Sequence, residues 1–165
     1  NEILAHPPDG PPGDANHDGS RDSSADEFIE LVNTTTRDFD LTGYQLQTRT
    51  LTASNDTTRH RFQAGTILSA GTALVVFGGG QIDVSTGVFG GALVSRASTT
   101  GLSLSNSGGV VTLRDASGVA VTSIRYGDSV GIAGDANQSI TRFPDVLGTL
   151  QLHQAASEVA GQFSP

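Results

Sequence analysis

The chain has 165 residues, of which 36% are hydrophobic and 16% charged, and a net charge of −8. It contains no Cys, so disulfides and thiolate metal sites are excluded, and no apolar run nears the roughly 20 residues that cross a bilayer. The negative balance argues against a nucleic-acid binder, which needs a basic surface to displace counterions from phosphates.

Residues 1–165 are most simply one domain with a sizeable core. Glu2-Ile3-Leu4-Ala5 predicts a short strand. His6 to about Ala25 then carries Pro7, Pro8, Pro11, Pro12 and several glycines, which excludes helix and central strand. A structureless connection of about 20 residues is unusual in a compact domain; an ion that organises it would remove the anomaly. Phe28-Ile29-Glu30-Leu31-Val32 predicts a strand with Ile29 and Leu31 on one face, and Asn33 to Asp38 is turn-like. From Leu41 to Gln47, Tyr44 and Leu46 alternate inward with Gln45 and Gln47 outward, the period of a half-buried strand. Arg59-His60-Arg61-Phe62 and Thr66-Ile67-Leu68 are shorter candidates. Leu74-Val75-Val76-Phe77 is apolar on both faces and so central, and Gly78-Gly79-Gly80 reads as its flexible exit. Residues 81–98 read as loop. Leu102-Ser103-Leu104 and Val110-Val111-Thr112-Leu113 follow, and Asp115-Ala116-Ser117-Gly118 turns the chain back into a partner strand from Val119 to Tyr126. Ser139-Ile140-Thr141-Arg142 and Leu150-Gln151-Leu152 are candidate edge strands. The expected fold is all-β: a sandwich or barrel of seven to nine short strands with a long acidic loop after the first.

That loop holds the main candidate site. Asp14-Ala15-Asn16-His17-Asp18-Gly19-Ser20-Arg21-Asp22 reads D-x-N-x-D-G-x-x-D. Oxygen-bearing side chains at alternate positions, followed by a glycine, suit a hard cation, and calcium better than the octahedrally strict magnesium. Asp14, Asn16, Asp18, Ser20 (through its carbonyl) and Asp22 fill positions 1, 3, 5, 7 and 9 of an EF-hand-like loop; position 12 is Ala25, and Asp26 or Glu27 just beyond could close the shell. Charge agrees with this reading. Residues 1–30 hold eight acids against Arg21, a net of −7, and a dication relieves their repulsion. The plainer reading is a solvated acidic loop. Gly134-Asp135-Ala136-Asn137 repeats the opening of the motif without further acids and reads as a turn.

Other candidates are weaker. His6, His17, His60 and His153 stand at no chelating spacing, which argues against zinc. His17 is expected to face water, and His60 to be a plain surface residue of its strand. No G-x-S-x-G supports a Ser-His-Asp nucleophile, and the absence of Trp leaves little for sugar stacking.

Several ordered blocks resemble the lamin tail domain pattern. They are Phe28-Ile29-Glu30-Leu31-Val32-Asn33, Leu41-Thr42-Gly43-Tyr44-Gln45-Leu46, His60-Arg61-Phe62, Gly65-Thr66-Ile67-Leu68-Ser69-Ala70-Gly71 and Ser105-Asn106-Ser107-Gly108-Gly109-Val110-Val111-Thr112-Leu113-Arg114-Asp115. Gly43-Tyr44 replaces the Gly/Asn-Trp more usual there. The resemblance covers about residues 1–126. It implies an immunoglobulin-like β-sandwich without catalytic activity of its own. It also implies a bacterial, secreted or surface protein in which such a domain sits beside a hydrolase or other larger domain. The resulting expectation is a calcium-stabilised interaction or spacer module, extracellular or on the cell surface. The alternative is a domain that targets a linked hydrolase to polysaccharide or extracellular nucleic acid.

Overall fold

The computed structural model describes residues 1–85, 87–127, 131–132, 134 and 137–157. Its elements in chain order are β1 (Glu2–Leu4), β2 (Phe28–Val32), β3 (Phe39–Asp40), β4 (Gln45–Thr50), β5 (Thr57–Arg61), β6 (Ile67–Leu68), β7 (Ala73–Phe77), β8 (Leu93–Arg96), β9 (Gly108–Arg114), β10 (Ala120–Gly127), β11 (Ile140–Phe143), β12 (Thr149–Leu152) and one helical turn, α1 (His153–Ala156). Twelve strands are described against the expected seven to nine; those without a counterpart in the sequence reading are the two-residue β3, and β8 inside the stretch that reads as loop.

Two sheets form the sandwich. The larger runs β12-β11-β1-β2-β7-β8, the smaller β10-β9-β4-β5, and β3 pairs with β6 as a separate ribbon. Neighbours are antiparallel except β7 and β8, which are parallel. Side-chain alternation sends one face of each sheet inward. Ile3, Ile29, Val76 and Ile140 from the larger sheet meet Leu46, Val111, Leu113 and Tyr126 from the smaller in one core. Leu46 is wholly buried, which contributes roughly 2 kcal/mol. The larger sheet also has an apolar outer face. Leu4, Phe28, Val75 and Phe77 form a second cluster there, with Ala15, Ile82, Phe89 and Ala92 packed on it. This is why β7 is apolar on both faces: it is an interior strand covered on both sides.

Four expectations need correction. The strand read from Leu41 begins only at Gln45, because Gly43 takes φ 75° and Tyr44 N–H donates to the Leu41 carbonyl, closing a turn. Leu102 and Leu104 are buried core residues on an irregular segment; Gly101 at φ 145° and Ser103 at φ 50° break the extended path. His60 is 5% exposed, not a surface residue. It follows Leu46 in register, faces the core and meets the Phe62 ring edge-on at 4.6 Å; burial lowers its pKa. Finally, of the two strands expected at an edge, β11 is interior, paired with β1 and β12, and β12 alone lies at an edge.

Candidate functional site

Residues 5–27 connect β1 to β2 over the outer face of the larger sheet. Proline and glycine deny this segment a backbone ladder, so side-chain oxygens accept its amides instead. Asp14 takes the Asp18 amide on Oδ1 (3.0 Å) and the Gly19 amide on Oδ2 (2.9 Å). Asn16 Oδ1 takes Asp18 N–H (3.0 Å), and Asp18 Oδ1 takes Ser20 N–H (3.0 Å). Asp22 Oδ1 accepts from Ser24 and Ala25, both at 2.8 Å. Asp26 reaches back across the loop, accepting from Asn16 N–H (3.0 Å) and Asp22 N–H (2.6 Å). The short-range contacts are side chains mimicking backbone turns, while Asp26 to Asn16 ties the loop across ten residues.

The loop is seated on Gly78-Gly79-Gly80. Gly78 N–H donates to the Glu27 carbonyl (2.8 Å) and Gly79 N–H to the Ala25 carbonyl (3.0 Å). Asn16 Nδ2 donates to the Gly79 carbonyl, and Asp18 Oδ2 accepts from Gln81 N–H. A Cβ on Gly78 would stand 1.8 Å from the Ser24 carbonyl oxygen, and one on Gly80 2.2 Å from Asn16 Nδ2. The triplet is therefore a bed for the loop, a role its reading as a flexible exit missed. The available signal was its position directly after a strand apolar on both faces.

Electrostatics sharpen the picture. Asn16 and Asp26 are fully buried. Burial raises the Asp26 carboxyl above its usual range, and the nearby charges of Asp14 and Asp18 raise it further, against the lowering effect of its two amide partners. Hydrogen bonds from Ala25 and Ser24 hold the Asp22 carboxyl low. Arg21, the cation of the segment, turns away. Its guanidinium donates to the Pro7 and Pro8 carbonyls and pairs with Asp9 at 3.5 Å.

Of the sequence-derived ligands, Asp14, Asn16, Asp18, Asp22 and Asp26 thus share one hydrogen-bonded loop, and Ser20 joins it through its amide. Glu27 leaves it. Its carboxylate accepts from Leu104 N–H (3.2 Å) across the sandwich, and burial pushes its pKa up to about 7. The oxygen donor set suits calcium in its chemistry. Among the described residues, no three His, Asp or Glu side chains form a group that could hold a metal ion. The carboxylates are committed to amides, though each keeps lone pairs beyond those used. Asp135 and Ala136 of the second motif lie outside the described residues.

A separate polar cluster joins the two ends of the described chain. Ser139 Oγ and His153 Nδ1 both reach Glu2 Oε1, the latter at 3.0 Å, and all three residues are buried. The Ser139 hydroxyl is engaged by the carboxylate, and His153 N–H donates to the Ser139 carbonyl (2.9 Å), so this cluster anchors α1 to β1 and β11. A hollow of about 460 Å³ beside the loop is lined by His17, Phe28, Phe77 and Phe89.

No curated protein matches the chain. The lamin tail domain family matches residues 8–128, which include β2 to β10. The sandwich has the immunoglobulin-like architecture of that family, a non-catalytic interaction fold. The chain belongs to the lamin tail domain family.

Proposed function

We propose that this domain is a non-catalytic interaction or spacer module of a secreted or surface bacterial protein, accessory to a larger protein, with calcium stabilising its β1–β2 connection. One observation carries the calcium reading. Asp26 is buried beside the charges of Asp14 and Asp18, while Arg21 is spent on backbone carbonyls and Asp9. A dication supplied from solution would relieve that repulsion. Asp14, Asn16, Asp18, Asp22 and Asp26 would hold it, with Ser20 through its carbonyl; Glu27, drawn to Leu104, is the less suited of the two closing acids.

Thermal melts and titration calorimetry test this. Calcium at a hundredfold over its Kd should stabilise by about 2.7 kcal/mol and raise Tm by roughly 5–10 °C. A chelator should reverse the rise, and Asp14→Ala with Asp18→Ala should abolish it. An unchanged Tm and no heat of binding would end the calcium reading.

A second reading, a domain targeting a linked hydrolase to polysaccharide or extracellular nucleic acid, is favoured by the charge of the smaller sheet. Its four strands carry five arginines and no acid.

A further inference from the structure

The arginines of the smaller sheet are ordered by its register. Arg125 of β10 lies opposite Val110 of β9, which lies opposite Arg49 of β4. Arg114 of β9 lies opposite Gln45 of β4, which lies opposite Arg61 of β5. Directly opposed residues share a face, and Leu46, Val111 and Leu113 fill the inner one. Arg49, Arg61, Arg114 and Arg125 therefore all point outward. The two arginines of each row are separated by one intervening strand, about 10 Å, and the rows lie about 13 Å apart along β4.

Between the rows the face is a mat of amides and hydroxyls. Gln47 Nε2 donates to Gln45 Oε1 (3.3 Å) and Thr58 Oγ1 (3.1 Å), and Arg114 Nε donates to Gln47 Oε1 (2.8 Å). The Thr112 and Ser123 hydroxyls meet at 3.3 Å. Asp56, outside the strands, pairs with Arg49 at 3.2 Å and with Arg114 at 2.9 Å, which fixes both guanidiniums in place. Arg61 and Arg125 are exposed, and Arg61 has no carboxylate partner among the described residues.

We propose that this outer face of β10-β9-β4-β5 binds an acidic polysaccharide, a chain of hydroxyl-rich sugars bearing carboxylate or sulfate groups. The inference rests on reading the domain as an interaction or targeting module. Charge complementarity selects an anion: the face is cationic on a chain whose net charge is −8, so attraction is local and not general. Guanidiniums engage carboxylate and sulfate through paired N–H groups. The half-buried Gln45, Gln47 and Thr58 and the exposed Ser123 offer donors and acceptors to sugar hydroxyls, above the buried Thr112. Its outward residues include no aromatic ring, which removes the stacking that single-stranded nucleic acids use. A sheet face also offers neither the helix nor the projecting ribbon that enters a DNA groove.

The test measures binding of heparin, polygalacturonate and a mixed-sequence DNA duplex at low salt, with wild type and an Arg61→Glu/Arg125→Glu variant. These two residues lie outside the Asp56 pairs, and single Arg61→Gln and Arg125→Gln variants serve if the double variant melts early. At least one polysaccharide should bind, weaken as salt rises, and lose about tenfold or more in affinity in the double variant. Absence of binding by both polysaccharides, equal binding by the double variant, or tighter binding of the duplex would overturn the proposal. Calcium melts separate it from the reading above: a calcium-dependent Tm with no polysaccharide binding defeats only this inference, and the converse defeats only the calcium site.

Discussion

The β1–β2 connection and the smaller sheet satisfy their backbone groups by different means. In the sheet, β9 and β10 exchange amides and carbonyls along a ladder from Gly108 to Arg114 and from Ala120 to Gly127. Its side chains are not needed for that pairing, and those of Arg61 and Arg125 are exposed on the outer face. In the connection, the side chains themselves do the pairing, and Asp14, Asp22 and Asp26 each accept two amides. A ladder tolerates many residue types because the backbone carries it. A loop built on carboxylates depends on each one, and on the glycines beneath it.

Substitutions should expose this difference, most strongly at the glycine bed. Gly80→Ala places a Cβ against Asn16 and Asp18 at a residue with φ +76°; denaturant unfolding should show a loss of about 3 kcal/mol. Gly118→Ala in the β9–β10 turn, at φ +88° but with open space around it, should cost only about 1 kcal/mol. Equal losses would mean that backbone conformation, not loop seating, sets the cost at Gly80. Next in size is Asp26→Ala, which leaves the Asn16 and Asp22 amides without their acceptor and should cost about 2 kcal/mol. The partly exposed Asp115 also accepts two amides, from Ser117 and Val119 in the β9–β10 turn; water can replace it there, so Asp115→Ala should cost less than Asp26→Ala by the same measurement.

The smallest effect concerns pH. Burial raises the Glu27 carboxyl from its ordinary 4.5 to about 7, so the native state keeps a proton that the unfolded chain releases. The stability this contributes is complete below about pH 4.5 and is lost as pH rises through about 7. Asp26 is shifted in the same direction by burial and its acidic neighbours. Glu27→Gln keeps an acceptor for Leu104 and carries no charge. Melts between pH 4 and 8 should show the variant gaining on wild type as pH rises, by a few degrees at the upper end. A constant difference across that range would remove Glu27 from the account.

Much of the sandwich was legible because alternation reports burial directly. Ile29 and Leu31, Gln45 and Gln47, and the doubly apolar β7 all behave as their pattern requires. The failures have physical causes. Leu102-Ser103-Leu104 alternates like a strand, yet Gly101 and Ser103 adopt positive φ, which alternation does not encode. His60 sits between two arginines and reads as exposed, but its register partner Leu46 faces the core. At the candidate site, spacing picked out the residues that share the loop. It could not say that Glu27 would turn toward Leu104, a contact 77 residues distant in sequence. Nor could it assemble the arginine face, since Arg61, Arg114 and Arg125 come together only through strand pairing.

β1 spans three residues, Glu2–Leu4, and falls before the stretch that carries the family pattern, as β11 and β12 fall after it. It is nevertheless the seam of the larger sheet, stitched to β2 on one side and β11 on the other. A chain trimmed to residues 8–128 would keep the recognisable signature but lose three of the six strands, baring the long flank of β2 to any extended peptide nearby. The segment that identifies this domain is thus narrower than the segment that completes its larger sheet.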